Sequence, residues 1–586
     1  MTEGYWSRAM GRRLSRRDTI RGTALAGLGL AGAALVGCGG ETEAEPSGGT
    51  PAAAAGTPAA GATGAPAVSG EPVSGGTFNT NLLPGFSYQH LDPHAAVWTA
   101  NFTAWTHSQL VRMDVSSFEQ SEWELVPDAA ASWEEPDSTT YVFHLQENLN
   151  FHDMPPADGR AATSEDVKWM VEHISTKEAQ FFRQHEFKDV TVETPDEKTV
   201  VFKLPQPQAA FWNRITTPGT VIMPPEYVEM EGAVLFKSGR PLAGTGPFMT
   251  NEFVQDQRFS VVRNPNYYKE GQPYLDEIVG ISAANRDARW VAFKAKQIDT
   301  VSQQTITRDM YDEALTLPDI TIDRRIPTQG YWVVFHTEKP PFGDARVRRA
   351  LSFATPRQDI VDVGHRGLED GQMLGPGGLT PDVHGAATYS YEELQTRPGY
   401  RTGADREADV AEARKLLDAA GVTDYRGRLP FTSGWPFSEA VSTLLQDAYR
   451  EIGFEVELVP FPYSDTLVNL ANRDFEMYWT PQHANGLDVN EFLEFYFLPD
   501  SVRNYGAWKS PGDKYSELVA QQNLAIDVEE RNSIVREIVA LLEEEVPRAP
   551  TNIWASRIVW HNYLHGWHGT YSSDFQTIAD RVWKEK

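Results

Sequence analysis

One cysteine in 586 residues leaves no partner for an intramolecular disulfide, and zinc sites built on two or more thiolates are excluded with it. Basic residues are also scarce: 52 Lys+Arg stand against 81 Asp+Glu, a formal charge of −29. A surface of that sign repels nucleic acid and anionic lipid headgroups, which removes both as electrostatic partners. The chain contains no GxxxxGK[ST], no HExxH and no GxSxG, so a P-loop ATPase, a zinc peptidase and an α/β-hydrolase each lack their defining residues. Short internal repeats are missing as well, which argues against a solenoid. What is present suffices for a folded body. Hydrophobic residues make up 41% and aromatics 11%, and the length corresponds to about three to four globular units or fewer large ones.

The N-terminus differs from the rest. Residues 1–37 hold Arg8, Arg12, Arg13, Arg16, Arg17 and Arg21 against only Glu3 and Asp18, a net +4, which leaves −33 on the remainder. An Ala-, Gly- and Leu-rich run of sixteen residues follows, from Gly22 to Gly37. It is too short and glycine-rich for a good membrane span and suits an export signal. The run ends in Leu35-Val36-Gly37-Cys38, which resembles a bacterial lipoprotein cleavage site; there the cysteine is lipidated and becomes the first mature residue. Ser15-Arg16-Arg17-Asp18-Thr19-Ile20 resembles a twin-arginine export signal, with Thr19 where an aromatic is common, and a Sec route stays open. Residues 39–76 have no aromatic and no periodicity, so they bury too little to offset their ordering entropy and read as a flexible tether.

From Thr77 onward helix and strand signals alternate, which predicts an α/β body. Thr140–Leu145 and 199–204 alternate apolar with polar residues as half-buried strands do. Thr163-Ser164-Glu165-Asp166 reads as a helix start, with Val167, Met170, Val171 and Ile174 at helical spacing. Ser438 is placed to cap a helix that Gly453 stops, and 454–458 then alternates as a strand. Residues 405–420 before Gly421 and 527–545 before Pro547 predict two further helices. His561, His565 and His568 would present one metal-binding face on a helix, but Tyr563, Gly566, Trp567 and Gly569 argue for strand and turn there. Acid runs such as Glu134-Glu135 and 543–545 are most simply solvated faces. No nucleophile–base pair is evident, so an enzyme finds little support and no cofactor is implied.

An ordered series of short motifs runs through this body: Leu91-Asp92-Pro93-His94, Leu125-Val126-Pro127-Asp128-Ala129-Ala130 before Trp133, and Phe151-His152-Asp153. Gly244-Thr245-Gly246-Pro247-Phe248, Arg263-Asn264-Pro265, Tyr274-Leu275-Asp276-Glu277-Ile278 and Pro340-Pro341-Phe342 with Arg346–Leu351 continue it. Taken in this order, the series resembles the family 5 extracellular solute-binding proteins, the oligopeptide/dipeptide/nickel class that delivers ligands to ABC importers. Each is weak alone, and most are structural: Gly246-Pro247 is a turn feeding a strand, and Arg348 is expected to hold a local ion pair. The resemblance implies a two-lobed periplasmic-binding-protein-like fold (type II, large cluster with an extra subdomain) hinged between lobes. Lobe I would comprise about 77–330 plus 555–586, with a subdomain near 115–235, and lobe II about 331–554. It further implies a monomer that partners an ABC permease and its ATPase and is held by lipid at the outer face of the cytoplasmic membrane.

By the same resemblance the ligand is met in the cleft between the lobes. In peptide-binding members a tryptophan, followed three residues later by an aspartate that pairs with the peptide α-ammonium, occupies positions that here hold Gln482 and Asn485. An oligopeptide-type solute is the first expectation. Asn485, however, can accept a hydrogen bond but cannot neutralise a desolvated ammonium, which weakens the case for a free-amino peptide and lends weight to the alternative of an oligosaccharide or another neutral polar solute. Asp488, matching the family's second acid, is expected to shape the loop. Tyr463 and Trp435 divide evenly between stacking on a solute and packing in the core, and Phe437 fits the core better. Two other classes stay open, a secreted hydrolase and a ligand-sensing relative that binds a partner protein.

Overall fold

The computed structural model describes residues 70–82, 93–94, 104–114, 124–175, 186–227, 243–254, 257–282, 285–301, 306–325, 329–364, 372–433, 437–483, 486–553, 556–567 and 579–585. The proposed leader, Cys38 and nearly all of the tether lie outside them. No helix among the described residues is long and apolar enough to cross a membrane.

The largest sheet has six strands, in the spatial order Gln372–Met373, Arg548–Ile553, Gln329–Phe335, Met477–His483, Tyr425–Thr432 and Phe454–Phe461. Both faces are covered, so its central strands are nearly continuous apolar runs. Along Gln329–Phe335 the pleat nevertheless sorts the side chains: Tyr331, Val333 and Phe335 face one core with Leu429, Phe431, Val441 and Leu445. Trp332 points to the other core, among Phe492, Tyr496, Val535 and Ile538.

A second body contains a four-stranded sheet, in which Thr77–Leu82 pairs in parallel with Glu277–Ser282, and a three-stranded sheet of Thr300–Val301, Ser556–His561 and Ile320–Arg325. A separate antiparallel sheet of Ala130–Asp137, Thr140–Leu145, Thr199–Lys203 and Thr191–Asp196 carries the helices Ser164–Ile174 and Phe211–Thr216. The chain passes between the three-stranded and six-stranded sheets twice, after Arg325 into Gln329 and after Ile553 into Ser556. Two side-by-side crossings are what a two-lobed hinge protein requires.

As its pattern predicts, Thr140–Leu145 is a strand with strictly alternating burial. The helix Ser164–Ile174 begins at Thr163 with a reciprocal capping box to Asp166 and buries Val167, Met170, Val171 and Ile174. The helices Ala404–Ala419 and Val528–Glu545 form, and Gly421 and Gly453 adopt the positive φ of +73° and +81° that their stop signals require. Two details differ. The cap of the helix Ser438–Glu451 falls on Phe437, one residue early, and the Ser438 carbonyl accepts from the Ser442 hydroxyl at 2.7 Å. The ion pair expected at Arg348 is the lesser part of its role. Its guanidinium donates to the Glu545 and Val546 carbonyls at 2.6–3.1 Å and to the Phe342 carbonyl at 2.7 Å, while the Glu545 carboxylate lies at 3.3 Å. It thus caps the end of a helix whose last carbonyls would otherwise be orphaned.

The C-terminus is fastened electrostatically. Asp580 is fully buried and receives Arg112 at 2.7 Å, Lys269 at 3.1 Å and the Tyr267 hydroxyl at 3.2 Å. Burial alone would push this carboxyl up, but Arg112 and Lys269 hold it well below the ordinary carboxylate range.

Candidate binding site

In the six-stranded sheet, Tyr425–Thr432 runs parallel to both Phe454–Phe461 and Met477–His483, so all three strands end at one edge. The antiparallel strand Gln329–Phe335 begins at that edge, with Gln329 opposite His483, and Arg548–Ile553 finishes there, with Ile553 opposite Gly330. Both chain crossings therefore leave the sheet where the parallel strands end. Carboxyl ends of parallel strands next to a crossover are where open α/β sheets take their ligands.

Two of the residues singled out from the sequence have their backbone at this edge. Gln482 is the penultimate residue of Met477–His483, and Tyr463 opens the helix Tyr463–Ala471 two residues past Phe461. Trp435 follows the end of Tyr425–Thr432 by three positions and Asn485 follows His483 by two, but both lie outside the described residues. Phe437 turns inward, edge-on to Tyr331 at 5.5 Å and to Trp479 at 6.3 Å.

Beneath the edge the side chains are locked. The Tyr478 hydroxyl donates to Thr466 Oγ1 at 3.0 Å, and the Thr466 and Thr432 hydroxyls lie 3.2 Å apart, all three residues fully buried. Burial raises the Tyr478 phenol to about 12. Trp479 stacks on Tyr331 with ring centroids 5.4 Å apart.

Past the end of Met477–His483 the segment Gly486–Asp488 is held from two sides. On one side Asp488, 1% exposed, accepts both terminal nitrogens of Arg531 at 2.7 Å each, and its Oδ1 also accepts the Asn490 N–H at 3.0 Å. Desolvation pushes this carboxyl up, yet the Arg531 charge and hydrogen bonds prevail and hold it below its usual value. On the other side Asn213, from the helix Phe211–Thr216, accepts the N–H of Leu487 at 3.1 Å and donates to Glu491 at 2.7 Å. Asp488 thus ties its own loop to the helix Val528–Glu545 that carries Arg531. Arg531 and Asn213 carry no motif and were not legible in advance.

Residues 124–504 match the family model for bacterial extracellular solute-binding proteins, family 5 (middle region). The chain belongs to this family. The solute-binding protein is 25% identical over 466 residues to a di/tripeptide-binding protein of Pseudomonas aeruginosa, covering 74% of this chain and 82% of the relative. Its fold matches the periplasmic binding protein DppA of Helicobacter pylori, solved with the peptide STSA, at a TM-score of 0.72 and 20% identity over 88% of this chain and 99% of that one. It matches AgaA of A. tumefaciens R10, solved with agropinic acid, at a TM-score of 0.72 and 22% identity over 87% and 99%.

The histidines near the C-terminus of this solute-binding protein are engaged locally. His561 lies on a strand with Nε2 2.9 Å from the Phe293 carbonyl, and its ring stacks on Phe293 at 4.3 Å. His565 pairs with Glu585 at 2.9 Å and stacks on Trp583 at 4.0 Å. His568 lies outside the described residues. Among the described residues no three His, Cys, Asp or Glu side chains are grouped to hold a metal ion.

Proposed function

We propose that this protein is the capture component of an ABC importer: it encloses an oligopeptide-type solute between two lobes and presents the closed form to a membrane permease, whose separate ATPase supplies the energy. The observation that carries this reading is the convergence of three parallel strand ends and both inter-sheet crossings on one edge. A solute at that edge touches the elements that must rotate, so its affinity for the closed arrangement shifts the population toward closure. No covalent step is needed. The lobes would divide near residues 77–330 plus 555–586 and 331–554, and Gln482, Asn485, Tyr463 and Trp435 would face the solute. Cys38 would carry the lipid that holds this acidic body at the membrane, behind a cleaved leader of 1–37.

A neutral polar solute is the second reading, and Asn485 favours it. An ammonium buried without a partner costs several kcal/mol, more than the roughly 1 kcal/mol of one amide contact. The fold also takes ligands other than peptides, since AgaA holds agropinic acid. Native mass spectrometry of the protein as purified, with small-angle scattering during addition of a tryptic digest of casein and then of mixed oligosaccharides, separates the two. Compaction by the digest supports peptide capture, and compaction only by the sugars supports the second reading. If neither compacts the protein and no small molecule is retained, the capture role is refuted.

A further inference from the structure

The contact between the helix Phe211–Thr216 and the start of the helix Asn490–Phe497 joins two different sheet units directly behind the candidate site. Asn213 is 3% exposed, and its Oδ1 faces two successive amides, Leu487 N at 3.1 Å and Asp488 N at 3.4 Å. Its Nδ2 donates to Glu491 Oε1 at 2.7 Å. Gly486 lies so close that a Cβ there would come within 2.2 Å of Asn213 Oδ1. Next to it, Arg214 reaches the Glu494 carboxylate at 3.1 and 3.3 Å, steered by the Glu186 carbonyl at 2.6 Å and Gln208 Oε1 at 2.8 Å. The Ala209 N–H also donates to the Asn523 carbonyl at 2.9 Å.

The two grips on Gly486–Asp488 differ in kind. Asp488 and Arg531 both belong to the six-stranded unit and stay together however the lobes rotate. Asn213 comes from the antiparallel unit, so its hydrogen bonds exist only while the units are apposed. Asparagine suits such a contact: it accepts from two N–H groups and donates to a carboxylate, and it carries no charge to strand when the contact opens.

We propose that Asn213 is a positioning residue for solute capture, which fixes the Gly486–Asp488 backbone only in the closed arrangement, and that Arg214–Glu494 is the accompanying ionic latch. The proposal rests on the capture reading given above. Closure and shaping of the binding edge are then one event, because the same amide serves both.

The test uses the full chain with Asn213→Ala, Arg214→Glu, Glu494→Arg and the charge-swapped pair Arg214→Glu/Glu494→Arg. The casein digest serves as probe and scattering reads compaction. Asn213→Ala is expected to raise the digest concentration for half-compaction about tenfold, about 1.4 kcal/mol, with the thermal midpoint little changed. Each single charge reversal weakens compaction and the swapped pair restores it. A swapped pair no better than the singles, or an Asn213→Ala that lowers the thermal midpoint yet leaves the compaction concentration unmoved, overturns the latch. If the digest does not compact the wild type, the peptide reading falls but the latch is still decided without solute. Spin labels on cysteines replacing the exposed Val291 and Val468, in a Cys38→Ser background, report the distance between the two proposed lobes, 77–330 and 331–554. Longer distances in Asn213→Ala than in its parent support the latch, and identical distributions overturn it.

Discussion

Arg531→Met removes the guanidinium from Asp488 and leaves a carboxylate with 1% exposure inside the six-stranded unit. The wild-type pair makes two charge-assisted hydrogen bonds of 2.7 Å, and Arg531 also reaches Gln522 Oε1 at 3.0 Å. Deleting one member of such a pair costs about 3–5 kcal/mol, because the remaining charge is buried without compensation. The sign with pH follows from the carboxyl. In the wild type its pKa is depressed, so its stabilisation is present above the ordinary carboxylate range and is lost as pH falls through the folded value. In Arg531→Met, burial is left as the dominant influence and raises the same pKa, so the variant should recover relative to the wild type as pH falls and the carboxyl takes up a proton. Urea unfolding at pH 7 and pH 5, with hydrogen exchange of residues 486–497 as the local reading, measures both effects. Asp488→Asn/Arg531→Met should regain much of the loss at pH 7, since no charge is then stranded. A loss under about 1 kcal/mol that is the same at both pH values would refute the reasoning.

Three further outcomes are expected. Asn485→Asp should tighten binding of free-amino peptides and leave amino-blocked peptides unaffected, as calorimetry with matched pairs would reveal; equal effects on both would remove Asn485 from the ammonium position. Asp580→Asn should cost about 1–3 kcal/mol at pH 7, since Arg112 and Lys269 lose one carboxylate but keep Asp128 at 3.7 and 3.2 Å, and should flatten the acid limb of a thermal-stability profile, because the wild-type carboxylate loses its contribution only as pH falls below the usual range. Cys38→Ser should abolish incorporation of a labelled fatty acid and release the protein from membranes, whereas retention in the membrane fraction would point to another anchor.

Local pattern carried much of the fold. The pleat of Thr140–Leu145 and the capping box at Thr163 are written within a few residues, where propensity and burial agree. Gln329–Phe335 was not evident, because a strand covered on both faces reads as an unbroken apolar run and its partners come from residues 477–483 and 548–553. The edge location of Gln482 and Tyr463 followed from the family pattern and not from their chemistry. Asn213 was out of reach for a plain reason: its partner Leu487 lies 274 residues away, and an asparagine in a six-residue helix has no distinguishing pattern. Arg348 shows a subtler limit. Its charge suggested an acidic partner, but the helix end it meets offers mostly carbonyl oxygens.

The placement of both crossings at the edge where the strands end has a geometric consequence for size selection. An object wedged near the pin of a door holds it open by a larger angle than the same object at the rim. A solute seated at these strand ends would sit near the pin, so each added atom would translate into a wide residual gap at the far side of the lobes. The permease would then need no contact with the solute to judge its bulk; it could read the angle.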